Sequence, residues 1–363
     1  MTELDDRLRD AVRACTDMVV WHRRTTPADA LAALAAACEE LGIDEWDRYG
    51  DGGAVARVEE QVAEVLGKPA AVFFVSGTMA QQSMLRVWCD RGHSRRVAIP
   101  DLSHLLFHEL DGPRLLHGLR FEHLTEGRNT PKADDLRGLP AGLGAALVEL
   151  PLRDAGCLLP SWEDLADLSA TASELGVPLH ADGARIWESQ RFYDRPLAEI
   201  AGLFDSLYVS FYKGLGAPAG AAVVGEQDAM DELRRWRQRM GGRLHQMTPY
   251  AVAALVGLRG RLPRMGEYVA CARAFADELV AAGLRVNPSP PHINTFEVFA
   301  DAPLLEVKER LAALMEREKV QPCGSWIATA VPGVSTTEMS CHDSALAHDP
   351  AKVAAWFAEI AGL

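Results

Sequence analysis

Short apolar runs alternate with longer amphipathic stretches along the first 260 residues of the chain. The runs have the composition of buried strands and lie at 70–75, 96–101, 145–150, 177–182, 206–211 and 221–225. Helical patterns separate them, such as SWEDLADLSATASELG at 161–176, where Ser161 is the expected N-cap. Strands that alternate with helices predict an open α/β sheet whose strands are mostly parallel.

The two ends of the chain follow different patterns. Residues 1–45 are typical of alanine-rich helices, the second of which ends near Gly42. After residue 258, three helical patterns (267–283, 304–318 and 350–361) accompany a strand with the sequence INTFEVF. We therefore predict three parts: an N-terminal helical arm (1–45), a large α/β domain (46–258) and a small α+β domain (259–363).

A small, hydroxyl-bearing turn follows the first predicted strand. Ser76, Gly77 and Thr78 lie between that strand and a helical pattern. Backbone N–H groups at the start of a helix bind anions such as phosphate. Taken alone, the turn is better explained as an ordinary helix cap.

Two further polar residues follow predicted strands. Asp182 ends the strand VPLHAD, and taken alone it is better explained as the cap of the next helix. Lys213 follows SLYVSF in a glycine-rich turn, where a desolvated lysine becomes a nucleophile that can form a Schiff base. Pyridoxal phosphate requires a phosphate cradle, an acid on its ring nitrogen and a Schiff-base lysine. The set therefore predicts a pyridoxal-phosphate site.

His104 lies just after the strand at 96–101. An imidazole there could stack on a pyridine ring and exchange a proton near neutral pH. His104 and His108 also have the i, i+4 spacing of zinc ligands, but HLLFH lacks the internal glutamate of that motif, so we predict no metal. Ser210 and Lys213 match S-x-x-K without the two companion motifs of penicillin-recognising enzymes.

Composition narrows the class of protein. The 363 residues are 48% hydrophobic and 24% charged, which is typical of a globular chain. A formal net charge of −14 argues against nucleic acid or an anionic membrane as the main partner. The N-terminus lacks the features of a signal peptide, and seven cysteines without a CxxC pair favour reduced thiols, so we predict a cytoplasmic protein.

Several segments resemble the threonine aldolase / β-eliminating lyase family, pyridoxal-phosphate enzymes of the aspartate-aminotransferase-like fold (fold type I). The matching segments are YGDGGAVARVEEQVAEVLGKPAAVFFVSGTMA (49–80), SHLLFHE (103–109), HADGARIWES (180–189), KGLGAPAG (213–220) and, more weakly, RQRMGGRLHQ (237–246). HADGAR and KGLGAPAG are specific in this order and spacing. The resemblance implies a large domain with a mostly parallel seven-stranded sheet and a small C-terminal domain.

The resemblance also implies residue roles. Lys213 would be the Schiff-base lysine, Asp182 the partner of the ring nitrogen and His104 the stacking imidazole, all three of them catalytic. The implied cofactor-binding set is Ser76, Gly77, Thr78, His104, Asp182, Arg185, Ser210 and Lys213, with Arg185 near the phenolic oxygen. The family forms dimers or tetramers with shared sites, so we expect a homodimer or homotetramer in which Tyr49 faces a partner's site.

The substrate half of the site departs from the family pattern. Trp21 stands where the family has a serine that helps to hold the substrate carboxylate, and Glu338 stands where it has an arginine. A glutamate repels a carboxylate. Either a neighbouring basic residue holds the carboxylate, or the substrate is not a plain α-amino acid. The candidate substrate contacts are Trp21, His22, Arg23, Arg24, Tyr49 and Glu338.

These features predict a pyridoxal-phosphate-dependent lyase that acts on an amino acid or amine. The expected reaction is aldolase-type Cα–Cβ cleavage of a β-hydroxy-α-amino acid to glycine and an aldehyde, or its reverse. The same cofactor also serves β-elimination, racemisation and transamination, and the sequence does not separate these. A non-catalytic cofactor-binding module is the alternative from another class.

Overall fold

The computed structural model describes residues 3–363. Its helices are α1 (Glu3–Ala14), α2 (Pro27–Leu41), α3 (Gly53–Val65), α4 (Gly77–Arg91), α5 (His104–Phe107), α6 (Gly112–His117), α7 (Ala133–Arg137), α8 (Trp162–Glu174), α9 (Ile186–Tyr193), α10 (Leu197–Gly202), α11 (Gln227–Arg239), α12 (Thr248–Gly260), α13 (Met265–Ala281), α14 (Leu304–Glu318) and α15 (Pro350–Ala361). Its strands are β1 (Asp17–Met18), β2 (Ala70–Phe74), β3 (Arg96–Pro100), β4 (Arg120–Thr125), β5 (Ala145–Glu149), β6 (Leu179–Gly183), β7 (Ser206–Ser210), β8 (Ala221–Gly225), β9 (Arg285–Asn287), β10 (Thr295–Ala300), β11 (Val320–Gln321), β12 (Ile327–Ala328) and β13 (Ser335–Ser340).

A seven-stranded sheet organises the middle of the chain, in the order β2-β8-β7-β6-β5-β3-β4. Strands β7, β6, β5, β3 and β4 pair in parallel, each with the next in this order. Strand β8 runs antiparallel to both of its neighbours, β2 and β7. Strands β2, β5, β6, β7 and β8 are buried along their whole length. Helices cover a mostly parallel sheet on both faces, which explains why these strands are continuous apolar runs. The predicted fold class is confirmed.

The apolar face of the sheet packs against α4 and α11. Phe74, Ile99 and Leu147 from three strands share a core with Met84 and Leu85 of α4. Burying side chains of this size contributes about 1.5–3 kcal/mol each. The same packing fixes the start of α4 at the carboxyl end of β2.

The second part of the structure is a smaller α+β unit. Its antiparallel sheet has the order β12-β13-β10-β9, and β1 pairs in parallel with β11. Phe275 of α13, Phe296 of β10 and Phe357 of α15 are fully buried in one apolar core. These residues lie on different elements and therefore hold the unit together by side-chain burial.

Residue contacts divide the chain into two compact units. One contains the residues up to Arg24 together with Arg264–Leu363, and the other contains Thr25–Pro263. These limits differ from the predicted domain boundaries at 45 and 258, which stay predictions. Within residues 3–363, no helix combines the length and the apolar character needed to cross a membrane.

Candidate active site

Three polar side chains stand side by side where the parallel strands end. In the sheet register, Glu149 of β5 is opposite Asp182 of β6, and Asp182 is opposite Tyr208 of β7. Neighbours in register project from the same face of a sheet. The carboxyl edge is also where open α/β sheets bind ligands. These three residues therefore form one wall of a candidate site.

Asp182 is a buried carboxylate whose negative charge is stabilised by a backbone hydrogen bond. It is 6% exposed, and its Oδ1 accepts a hydrogen bond from the N–H of Ala184 at 3.0 Å. Burial raises the pKa of Asp182, while the charge of Lys213 opposes that rise. The N-cap of the next helix is Arg185, so Asp182 is not a helix cap. The Arg185 charge and the Gln81 side chain also favour the charged form of Asp182.

Lys213 and Arg185 supply the positive charges beside Asp182. Lys213 follows β7 and Arg185 precedes α9, and Arg185 is only 7% exposed. Burial and the Arg185 guanidinium lower the pKa of Lys213 to about 8. A larger fraction of the amine is therefore neutral near physiological pH than for an exposed lysine, which makes Lys213 a better nucleophile.

The turn before α4 leaves its first N–H groups available. Ser76 is the N-cap residue, but its side chain forms no capping hydrogen bond. A Cβ at Gly77 would collide with the Tyr208 hydroxyl and lie 3.1 Å from that of Tyr212, so only glycine fits there. Thr78 follows in the first turn of the helix. An anion can approach this backbone closely.

These groups together fit pyridoxal phosphate. The uncapped N-terminus of α4 can take the phosphate, the buried Asp182 can take the ring nitrogen, and the Lys213 amine can take the carbonyl carbon. Lys213 and Arg185 offset part of the cost of burying the Asp182 carboxylate, and a cationic ring nitrogen would offset more of it. The residues present therefore match the chemistry of the cofactor.

Ser210 and Tyr212 flank the lysine turn. The Ser210 hydroxyl donates a hydrogen bond to the carbonyl of Ala184 at 2.9 Å, which ties the end of β7 to the segment after β6. Tyr212 is 41% exposed, and its hydroxyl lies 3.4 Å from that of Tyr208. Ser210 therefore supports the geometry of the site, and a cofactor contact from it stays a prediction.

His104 is the first residue of α5, and its backbone is fixed by a buried acid. The Glu149 Oε1 accepts the N–H of His104 at 2.6 Å. Burial, followed by the positive charge of Lys213, lowers the pKa of His104 to about 4. The imidazole is therefore neutral near physiological pH.

Glu149 gives the site a pH dependence that can be measured. Burial and the neighbouring Asp182 raise the pKa of Glu149 to about 8, whereas an unfolded glutamate titrates near about 4.3. Its contribution to stability is present below the unfolded pKa and is lost as the pH rises through the folded pKa. Between about pH 5 and about pH 9, the free energy of unfolding of the wild-type protein should fall as the pH rises. The free energy of unfolding of Glu149→Gln should fall less over the same range, because glutamine does not ionise. Urea unfolding across this range measures the difference.

A matched control for that experiment is Glu163→Gln. Glu163 is exposed in the first turn of α8. This variant should follow the pH dependence of the wild-type protein. Identical pH dependence in Glu149→Gln and wild type would contradict a protonated Glu149.

Tyr49 lies in the same unit as Lys213 and is 49% exposed. Its backbone has a φ of +56°, and its N–H donates to the carbonyl of His245 at 3.0 Å. The Arg243 guanidinium lies 5.6 Å from the centre of the Tyr49 ring and pairs with Asp51 at 2.7 Å. Tyr49 is thus held in an exposed position, and its part in a partner's site stays a prediction.

The remaining predicted substrate contacts belong to the other unit. Trp21 is 41% exposed and stacks on His342, with ring centroids 6.2 Å apart. His22 pairs with Asp343 at 3.1 Å, and Glu338 is a half-buried residue of β13. Arg24 donates hydrogen bonds to the carbonyl of Val12 and the side chain of Gln321. The side chain of Arg23 forms no hydrogen bond or ion pair with residues 3–363.

Several functional candidates were missed by the sequence reasoning. Glu149 carried the same signal as Asp182, an acid that ends an apolar strand. A buried polar chain below Asp182 joins Trp88, Ser206, His180 and Gln81 through bonds of 2.6–2.8 Å. Burial lowers the pKa of His180 to about 3, so this imidazole stays neutral. No sequence spacing indicates that chain, because its members lie on three separated segments.

Comparison with known proteins gives a consistent family. The model of the beta-eliminating lyase family matches residues 24–303. The chain is 29% identical over 314 residues to low-specificity L-threonine aldolase 1 of Arabidopsis thaliana, which covers 83% of this chain and 84% of the relative. It is 30% identical over 246 residues to low specificity L-threonine aldolase of Escherichia coli K12, covering 66% and 73%.

The fold also matches a solved structure over its full length. A candidate L-allo-threonine aldolase from Listeria monocytogenes EGD-E superposes with a TM-score of 0.91 at 34% identity, covering 98% of both chains. The predicted family, cofactor and carbon–carbon lyase class are confirmed. This chain belongs to the beta-eliminating lyase family and is a pyridoxal-phosphate-dependent lyase.

Proposed function

We propose that this enzyme cleaves the Cα–Cβ bond of L-β-hydroxy-α-amino acids to glycine and an aldehyde, and catalyses the reverse addition. The observation that carries the proposal is the set formed by the half-buried Lys213 and the buried Asp182 and Arg185 at the carboxyl edge of the sheet. The relatives named L-threonine aldolases support this choice among the reactions open to the cofactor.

The chain's residues have distinct tasks around the cofactor. Lys213 would hold the carbonyl carbon, Asp182 the ring nitrogen, and the N–H groups of Gly77 and Thr78 the phosphate. Arg185 would neutralise the phenolic oxygen. When bound, pyridoxal phosphate supplies an acceptor for the electron pair of the broken bond. Lys213, with its lowered pKa, then serves as the group that moves the proton at Cα.

Cleavage also requires a base for the proton of the β-hydroxyl. His104 is neutral and lies close enough to Lys213 for the lysine's charge to lower its pKa. An imidazole in this position can cover the cofactor ring and bring the surrounding α5 residues to the substrate. The base for the β-hydroxyl proton is therefore expected among the residues of α5 and its C-cap.

Among the predicted carboxylate contacts of the smaller unit, Arg23 has the most available side chain. His22 is paired with Asp343, and Arg24 is engaged with Gln321, whereas Arg23 is exposed and uncommitted within residues 3–363. A guanidinium can bind a carboxylate through two parallel hydrogen bonds.

A homodimer or homotetramer is part of the proposal. In α2, Ala37 is the buried residue of an otherwise accessible, alanine-rich helix. Leu110 is 92% exposed, and Phe107, Leu115 and Leu116 beside it are also largely exposed. Apolar surface of this kind marks interaction sites. A second copy of the chain would cover this surface.

The proposal extends to location and domain roles. All seven cysteines are free thiols, which favours the reducing cytoplasm. Residues 46–258 would form the cofactor-binding domain and 259–363 the small domain. Residues 1–45 would form the arm that contacts a partner.

The direct test of the function is a substrate panel. Protein loaded with pyridoxal phosphate is mixed with each stereoisomer of threonine and of phenylserine, and aldehyde is measured with a coupled NADH-dependent reductase. Aldehyde is expected from L isomers and not from D isomers. Cofactor binding without aldehyde from any isomer would overturn the proposal.

A further inference from the structure

A histidine–aspartate pair lies beside His104. His108 caps the C-terminus of α5, and its Nε2 lies 2.8 Å from Asp154 Oδ2, although the two residues are 46 positions apart. The imidazole rings of His104 and His108 are stacked, with centroids 4.9 Å apart and planes inclined by 29°. His108 is therefore in direct contact with His104, the histidine predicted to face the cofactor.

The aspartate sets the chemistry of the His108 ring. A carboxylate only accepts hydrogen bonds, so Nε2 carries the hydrogen and donates it to Asp154. Nδ1 then has the lone pair of the neutral imidazole. Within residues 3–363, Nδ1 of His108 has no hydrogen-bond partner, so it is open to a proton from a ligand.

Two other groups lie close to His108: His104 is a poor proton acceptor, and Glu109 is buried and already accepts a hydrogen bond. Burial and the charges of Lys213 and Arg153 disfavour a cationic His104 and lower its pKa to about 4. The side chain of Glu109 is 1% exposed, and Gln82 donates a hydrogen bond to its Oε2 at 2.7 Å. The His108 side chain is 40% exposed, so it can exchange a proton with solvent after each turnover.

We propose that His108, oriented by Asp154, is the base that accepts the proton of the substrate's β-hydroxyl. The inference rests on the proposed aldolase function and assigns its base. His104 then covers the cofactor ring, and the two stacked imidazoles divide the tasks of binding and proton transfer. Asp154 is a positioning residue because it acts through His108.

The proton and the electron pairs balance in this assignment. The O–H bond of the substrate breaks and an N–H bond forms at His108 Nδ1. The oxygen's electron pair forms the C=O bond of the aldehyde, and the pair of the Cα–Cβ bond stays with the amino acid fragment. A proton added at Cα completes glycine, and His108 returns its proton to solvent.

Titratable and charged groups on several elements lie around His104 and His108. Asp154 and Arg153 lie on one short segment, and Arg153 also contacts Asp154 at 3.3 Å. Glu109 and His104 lie on the same segment as His108, and Lys213 follows β7. The carboxylate of Asp154 is the nearest of these charges to the His108 ring, at 2.8 Å.

The experiment compares two reactions of the holoenzyme. Aldehyde release from L-threonine needs the β-hydroxyl base, whereas exchange of the glycine Cα hydrogen in D₂O does not. His108→Asn is expected to lower kcat for aldehyde release by about 10²-fold and to leave glycine exchange unchanged. Asp154→Asn is expected to give a smaller loss in the same reaction alone.

The pH profile separates a chemical role from a structural one. His108→Asn should remove the acidic limb of the kcat profile, because a protonated base no longer limits the rate. His123→Asn is the matched control, since His123 is an exposed histidine of β4. It should leave both reactions unchanged.

Two outcomes would overturn the inference while leaving the proposed function intact. One is wild-type aldehyde release by His108→Asn. The other is a parallel loss of aldehyde release and glycine exchange, which would indicate a structural role. A wild-type enzyme that exchanges glycine but releases no aldehyde would instead remove the proposed function, and the inference with it.

Discussion

Replacing Lys213 with alanine is expected to lower aldehyde release by about 10³–10⁴-fold, because one amine both holds the cofactor and moves the Cα proton. The Lys213 amine is buried, with a pKa lowered to about 8. Alanine has no group for either task. Stopped aldehyde assays and the visible absorption band of bound cofactor measure the two losses separately.

A second half-buried lysine provides the matched control. Lys68 precedes β2, and its Nζ donates a hydrogen bond to the carbonyl of Phe204 at 2.6 Å. Burial lowers the pKa of Lys68 as it does that of Lys213, but Lys68 lies at the opposite edge of the sheet. Lys68→Ala should keep the cofactor band and the aldehyde release. Retained activity in Lys213→Ala would contradict the assignment.

Replacing Asp182 with asparagine is expected to lower kcat by about 10²–10³-fold with little change in the fold. Asparagine has the same shape but supplies no negative charge to pair with a protonated ring nitrogen. The hydrogen bond from the Ala184 N–H can be kept by the asparagine oxygen. Steady-state kinetics at saturating cofactor measure the loss, and cofactor titration measures the change in affinity.

Asp205→Asn is the control for that substitution. Asp205 Oδ2 accepts the N–H of Leu179 at 2.8 Å, at the start of β6, whereas Asp182 lies near the end of the same strand. Both substitutions remove one carboxylate from a strand end. If the two variants lose activity equally, charge at the carboxyl edge does not explain the role of Asp182.

The sheet was largely predictable because its strands are buried on both faces. The strands at 221–225 and 70–74 are apolar throughout and were identified within one residue of their limits. Strand β4, RFEHLT, was missed because only its last two residues are buried and because it mixes charged with apolar residues. This segment forms a strand because it pairs with β3, and a single sequence does not reveal that pairing.

The polar strand β13 was missed for a related reason. Its sequence STTEMS has little apolar content, yet most of it is buried. The Ser335 and Thr336 hydroxyls donate hydrogen bonds to the carbonyls of Ala302 and Val298. These long-range hydrogen bonds offset the cost of removing the polar side chains from water.

Some residues of the site were predictable from sequence motifs, and others are brought in only by contacts in the folded chain. Asp182 and Lys213 stand in segments whose order and spacing already indicated a cofactor. Glu149 joins them only through the β5–β6 register, and Asp154 reaches His108 across 46 positions. Relationships of this kind follow from the folded arrangement and have no local sequence signal.

The most direct measurement of the central claim is the product balance by proton NMR. The holoenzyme is incubated with L-threonine, and glycine and acetaldehyde are followed together. The account predicts that they form in equal amounts, with neither ammonia nor a keto acid. Formation of a keto acid, ammonia or the D isomer without glycine would contradict Cα–Cβ cleavage by this enzyme.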